Sequence, residues 1–178
     1  MSMAIINQKF NQKLENKKWY SLEEAIHKRK ILREKSKRLV ITNGCFDLLH
    51  AGHLVYLKES AALGDELWVV VNSDKSVRLL KGLKRPIQGE EERMFALSCL
   101  EFVSGMVLFD TERLDREIKA LQPDVYTKAG DYALEKLDKL EWSALEAVGA
   151  EVVFMPFVEG YSTTSLIQKI INLETRSV

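Results

Sequence analysis

From residue 39 to the C-terminus, short apolar runs alternate with stretches whose apolar residues recur every three or four positions. The short runs cover residues 39–42, 66–71, 102–108, 125–127 and 151–155. Runs of this length flanked by polar residues read as strands. Those at 67–71 and 152–154 are almost continuously apolar, as strands covered on both faces are. Helical periodicity falls between them, at about 53–63, 74–81, 89–100, 111–121, 135–148 and 163–172. Gly64 and Gly149 stand where two of these helices should stop. The alternation predicts the α/β class: a Rossmann-like parallel sheet with helices on both faces.

Residues 1–37 differ. They are rich in Lys, Arg, Glu, Gln and Asn, and only Leu22, Ala25, Ile26, Ile31 and Leu32 form a periodic apolar set. Ser21 followed by Glu24 is a capping-box pattern, which predicts a helix over about 22–35. The expected organisation is therefore an N-terminal helical extension, 1–37, and one main domain, 38–178. Two readings remain open for the basic clusters at Lys28, Arg29 and Lys30 and at Lys35, Lys37 and Arg38. They are a solvated face, or a basic lip over a phosphate site.

Charge narrows the function classes. The 26 basic and 26 acidic side chains balance, so nothing draws the chain as a whole to nucleic acid or an anionic membrane. Any anion must be bound by a local site. No stretch approaches 18 apolar residues, and the first nine residues lack the apolar core of a signal peptide. The two cysteines have no framework or metal-site spacing, so a reducing, cytoplasmic setting is expected.

The chemistry concentrates where the first strand of the main domain meets its helix. Residues 42–53 read Thr-Asn-Gly-Cys-Phe-Asp-Leu-Leu-His-Ala-Gly-His. His50 and His53 then stand at a helix start, where unpaired N–H groups and the helix dipole attract phosphate. Imidazoles there donate hydrogen bonds to phosphate oxygens or carry charge. Gly52 lets an anion approach the backbone. Capping and metal ligation are the alternatives, and a metal would need further ligands.

Three other polar clusters follow strands: Asn72-Ser73-Asp74, Lys128 to Tyr132, and Glu159 to Thr164. In an open parallel sheet, ligands bind at that edge. Ser162, Thr163 and Thr164 offer a second helix start with hydroxyl donors. Two such helix ends suit a polyphosphate. The segment from Arg78 to Arg93 adds Lys81, Lys84 and Arg85 near Gly82 and Pro86, read either as a solvated loop or as a phosphate-binding one. Arg93 itself reads equally as an ion-pair partner or a phosphate ligand. Neither G-x-x-x-x-G-K-[ST] nor G-x-G-x-x-G occurs.

With these motifs, the chain resembles the nucleotidyltransferase superfamily marked by H-x-G-H. More narrowly, it is similar to the D-glycero-β-D-manno-heptose 1-phosphate adenylyltransferases, which stand alone or form the second domain of bifunctional heptose kinase/adenylyltransferases. The likeness runs from about residue 38 to 171. It rests on residues 42–53, on Val71-Asn-Ser-Asp74 with Arg78-Leu-Leu-Lys-Gly82 and Arg85-Pro86, on Gly130-Asp131-Tyr132, and on residues 156–164. The resemblance implies transfer of AMP from ATP, with Mg²⁺, to a sugar 1-phosphate, giving ADP-heptose for lipopolysaccharide core biosynthesis and pyrophosphate.

It also implies roles. His50, His53, Lys81 and Thr164 would act on the reacting phosphates. Asn43, Gly44, Phe46, Asp47, Gly52, Ser162 and Thr163 would line the nucleotide site, with Asp131 beside the nucleoside. No metal ligand is assigned. Ala129 departs from the glycine of many relatives, which puts the detail of the nucleoside pocket in doubt. A cytidylyltransferase acting on glycerol 3-phosphate or a similar alcohol phosphate is the alternative, and an inactive nucleotide-binding module a further one. Relatives are often dimers, so a homodimer through Phe102, Val103, Val107 or the N-terminal helix is a candidate.

Overall fold

The computed structural model describes residues 18–130, 137–156 and 160–174. In chain order the elements are β1 (Trp19–Tyr20), α1 (Leu22–Glu34), β2 (Leu39–Gly44), α2 (Ala51–Ala61), β3 (Glu66–Asn72), α3 (Asp74–Lys81) and α4 (Glu90–Ser98). Then come β4 (Gly105–Phe109), α5 (Asp115–Leu121), β5 (Val125–Ala129), α6 (Lys139–Val148), β6 (Glu151–Met155) and α7 (Thr163–Glu174).

The strands form one sheet in the order β1-β4-β3-β2-β5-β6. Every pairing is parallel. The chain winds outward from β2 through β3 to β4, then returns to lay β5 on the other side of β2. That reversal opens a crevice at the carboxyl ends of β2 and β5, where ligands bind in doubly wound sheets. The predicted Rossmann-like class is thus the observed one.

Side-chain alternation along the strands sorts the core onto two faces. Leu39 and Ile41 pack with Trp68, Val70, Val107 and Tyr126 on one. Val40 packs with Leu67, Val69, Val71 and Val125 on the other. Both faces of β2 and β3 are therefore covered, which is why their sequences read as continuous apolar runs.

The capping box forms as expected: Glu24 N–H donates to Ser21 Oγ at 3.2 Å and Ser21 N–H to Glu24 Oε2 at 2.8 Å. Strand β1 has no counterpart in the sequence reading, because two residues carry no periodicity. It pairs Trp19 with Met106 and Tyr20 with Val107. Ala25 and Leu32 of α1 share the core of Leu39 and Ile41, so the described segment from residue 18 adds to the same sheet.

Three expectations need correction. The basic lip does not exist. Arg29 is buried and donates to Gln122 O at 2.8 Å and Asp124 Oδ1 at 3.0 Å, while Lys37 pairs with Asp65 and Arg38 with Glu151. These residues gather at the amino-terminal ends of the strands, opposite the crevice. Val103 and Val107 cannot supply a dimer surface, because both are core residues. Helix α5 starts at Asp115 rather than near 111, because Glu141 Oε1 accepts the Leu114 N–H at 3.0 Å and Thr111 Oγ1 donates to Arg113 O, closing a turn instead.

Candidate nucleotide site

At the carboxyl edge of the sheet lies a cleft of about 330 Å³. Asn43, Gly44, Phe46 and Asp47 line it from the loop after β2, and His50, Gly52 and His53 from the start of α2. Lys81 enters at the end of α3, and Ser162, Thr163 and Thr164 at the start of α7. The described residues to which the resemblance gives a role are all brought together here, whereas Lys84, Arg85 and Arg93 are not in its lining. Asp131 lies outside the described residues.

The histidine turn is built locally. His50 is the N-cap of α2, and its Nδ1 accepts the His53 N–H at 3.4 Å. Because Nδ1 is the acceptor, the proton of a neutral His50 ring sits on Nε2 as a donor. The His50 and His53 rings stack with centroids 3.8 Å apart and planes at 21°. Phe46 leans on the His53 ring from 5.3 Å. Space at Gly52 is tight: a Cβ there would come 3.1 Å from both His50 Nδ1 and Tyr161 Cβ. The same close approach shows that the lead-in to α7 lies against the first turn of α2, so two helix N-termini share one cleft.

Of the two roles open to the imidazoles, donation and charge, the electrostatics favour donation. Burial, together with the nearby His50 and Lys81, holds the His53 pKa down at about 4. Burial lowers His50 as well. Both rings are therefore neutral near neutral pH, and the Leu48 backbone lies close enough to the buried His53 ring to oppose the fall in its pKa. Permanent positive charge comes instead from Lys81 and the helix ends. Ser162 Oγ accepts the Ser165 N–H at 3.0 Å, and Ser165 Oγ accepts the Ser162 N–H at 3.1 Å. Ser162 thus caps α7, which leaves the Thr163 and Thr164 amides without an intrahelical acceptor.

Asp47 lines the cleft, but its oxygens are occupied. It is buried, and it accepts from Arg85 Nε at 2.5 Å, Ile87 N at 2.7 Å and Gln88 N at 2.9 Å. Arg85 fits neither open reading for the basic loop, because its pairing with Asp47 makes it part of what shapes the loop. Arg93 is buried and structural: Nε donates to Gln88 O, Nη1 to Cys45 O and Nη2 to Asp74 Oδ1 at 3.0 Å. The Asn72-Ser73-Asp74 cluster serves the same framework, with Ser73 capping α3.

Sequence reasoning assigned no role to Tyr56, Lys128 or Tyr161, all of which line the cleft. Lys128 follows a strand run as Asn43 does, a signal that points to it once β5 is known to neighbour β2.

A family model described as cytidylyltransferase-like matches residues 41–169. The chain belongs to this family. Within the cytidylyltransferase-like family, the chain is 48% identical over 136 residues to a bifunctional protein HldE of Geotalea uraniireducens (strain Rf4), covering 76% of this chain and 27% of that protein. It is 41% identical to the bifunctional protein HldE of Hydrogenovibrio crunogenus, over 99% of this chain and 37% of that one. The chain thus spans about a third or less of these relatives. Among solved structures, it resembles a lipopolysaccharide core biosynthesis protein from Thermoplasma volcanium GSS1, with a TM-score of 0.57 and 33% identity, over 71% of this chain and 99% of that one. No described helix is long and apolar enough to cross a membrane.

Proposed function

We propose that this chain is an adenylyltransferase that joins ATP to a sugar 1-phosphate, D-glycero-β-D-manno-heptose 1-phosphate, releasing pyrophosphate. The observation that carries this reading is the convergence of two helix N-termini, two donor imidazoles and Lys81 on one cleft. Such a donor set fits a polyphosphate. The choice of acceptor is supported by the heptose-type motifs and by the HldE relatives at 41–48% identity.

In this reaction an oxygen of the sugar phosphate attacks the α-phosphorus of ATP in line. A new P–O bond forms as the bond from the α-phosphorus to the αβ-bridging oxygen breaks, and pyrophosphate carries away the electron pair. The attacking oxygen is already anionic, so no general base is needed. The protein must hold like charges together and stabilise the additional charge of the transition state. His50, through Nε2–H, and His53 would donate to the phosphates. Lys81 would offset the charge on the departing group, and the Thr163 and Thr164 amides would fix the other end of the chain of phosphates.

Mg²⁺ belongs to the proposal as the partner of ATP. Among the described residues no cluster of His, Cys, Asp and Glu could cage a metal, and Asp47 is committed to the Arg85 loop. The ion would therefore arrive on the phosphates, whose charge it neutralises.

The test is product mass after incubation with ATP or CTP and a panel of heptose 1-phosphate, glycerol 3-phosphate and other sugar phosphates. ADP-heptose is expected. Turnover of CTP with glycerol 3-phosphate, and none of ATP with heptose 1-phosphate, would overturn the reading.

A further inference from the structure

Lys128 stands at the carboxyl end of β5, one step beyond the pairing of Thr42 with Thr127 and so beside Asn43 across the crevice. Its ammonium donates to Asn43 Oδ1 at 3.0 Å and to Tyr126 OH at 3.2 Å. Tyr126 OH donates to the same Asn43 Oδ1 at 2.8 Å. Lysine has no acceptor, so the amide must turn its oxygen towards it; the flipped amide would set NH₂ against an ammonium group. The Asn43 amide nitrogen is thereby left for the cleft, where no described residue accepts from it. Glu141 Oε2, 4.0 Å from Lys128 Nζ, favours the charged ammonium against the cost of burial.

We propose that Lys128 is a positioning residue for nucleotide binding, holding the Asn43 amide so that its NH₂ group is a fixed donor to a phosphate of the bound triphosphate. The inference rests on the triphosphate reading above. It adds a donor on the β2 side of the crevice, facing the two helix ends. It also explains a polar triad between two central strands, where burial would otherwise favour apolar side chains.

Calorimetry with ATP alone, together with thermal melting, tests it. Asn43→Asp keeps an acceptor for Lys128 but replaces the donor with an anion. ATP affinity should fall at least about tenfold, the worth of one hydrogen bond to a charged group, with melting little changed. Lys128→Met should weaken ATP as Asn43→Ala does, and the double variant should be little weaker than either single one. A role for Lys128 in packing alone would give additive losses instead. Additive losses, or an Asn43→Asp protein that binds ATP within threefold of the wild type, would overturn the inference. If Lys128→Met does not fold, Lys128→Gln takes its place in the same double-variant cycle. Failure of the wild type to bind ATP would overturn this inference and the proposed function together. ATP binding without ADP-heptose formation would overturn only the acceptor assignment, and the double-variant cycle would still decide the role of Lys128.

Discussion

The rings of His50 and His53 lie stacked 3.8 Å apart, and a shared proton economy follows. Two imidazolium ions at that distance would repel, so burial and proximity keep His53 neutral with a pKa of about 4. The His53 ring signals should not titrate between pH 8 and 5.5 by NMR in the free protein. A bound triphosphate stabilises the protonated ring and raises that pKa. Binding at pH 6 should therefore take up protons, seen as a dependence of the calorimetric heat on buffer ionisation enthalpy. Its absence would show that His53 stays a neutral donor in the complex.

The same shift sets a direction for acid stability. The folded pKa lies below the ordinary imidazole value of 6.5, so the unfolded chain binds the proton more readily. The contribution of His53 is complete above pH 6.5 and is lost as pH falls towards 4. It amounts to up to about 3 kcal/mol. Denaturant titrations of the wild type and His53→Gln at pH 7.5 and 5 should show the smaller decline for the variant.

Removing the ring itself should be costly to catalysis. His53→Ala is expected to slow turnover by at least ~100-fold, the scale of a lost oxyanion-type donor. A loss below threefold in steady-state assays would take His53 out of the catalytic set.

Gly52→Ala isolates geometry from chemistry. The added methyl would meet His50 and the Tyr161 lead-in to α7 at 3.1 Å, so one of them must shift. All donors remain, yet turnover should fall by roughly tenfold or more, as misplacement at a reacting centre costs. Melting should change little, because the strain falls at the rim of the cleft. Unchanged kinetics would show that the two helix ends can separate freely.

Asp47→Ala should act mainly on the loop between α3 and α4. It strands the Arg85 guanidinium and frees two backbone N–H groups. Stability should drop by about 3 kcal/mol, the scale for breaking a buried pair. Limited proteolysis should then cut within 82–88. A variant as resistant as the wild type would mean that Arg93 alone holds the loop.

What the sequence disclosed was whatever chemistry is local. The His50–His53 turn, the Ser21 cap and the Ser162–Thr164 helix start each lie within one short segment, so spacing alone identified them. The sheet class was equally legible, because β2 and β3 are buried on both faces. What stayed hidden depended on neighbours distant in the chain. Asp47 meets its partners 38 to 41 residues downstream. Lys128 matters only once β5 is known to lie beside β2. Strand β1 needs the edge of β4 to exist at all.

The cleft also has an order of completion. Its histidines come from the first crossover of the sheet, whereas Thr163 and Thr164 come from α7, the last element. That helix meets the body with Leu166 and Ile167 partly buried, while Ile170, Ile171 and Leu173 stay exposed. Among the described residues, α7 contributes nothing to either buried core cluster, so the Thr163 and Thr164 side of the phosphate cradle stands outside the core. On the triphosphate reading, a nucleotide held by both helix ends would bridge the start of α2 and the start of α7, and so would act as a clasp on the final helix.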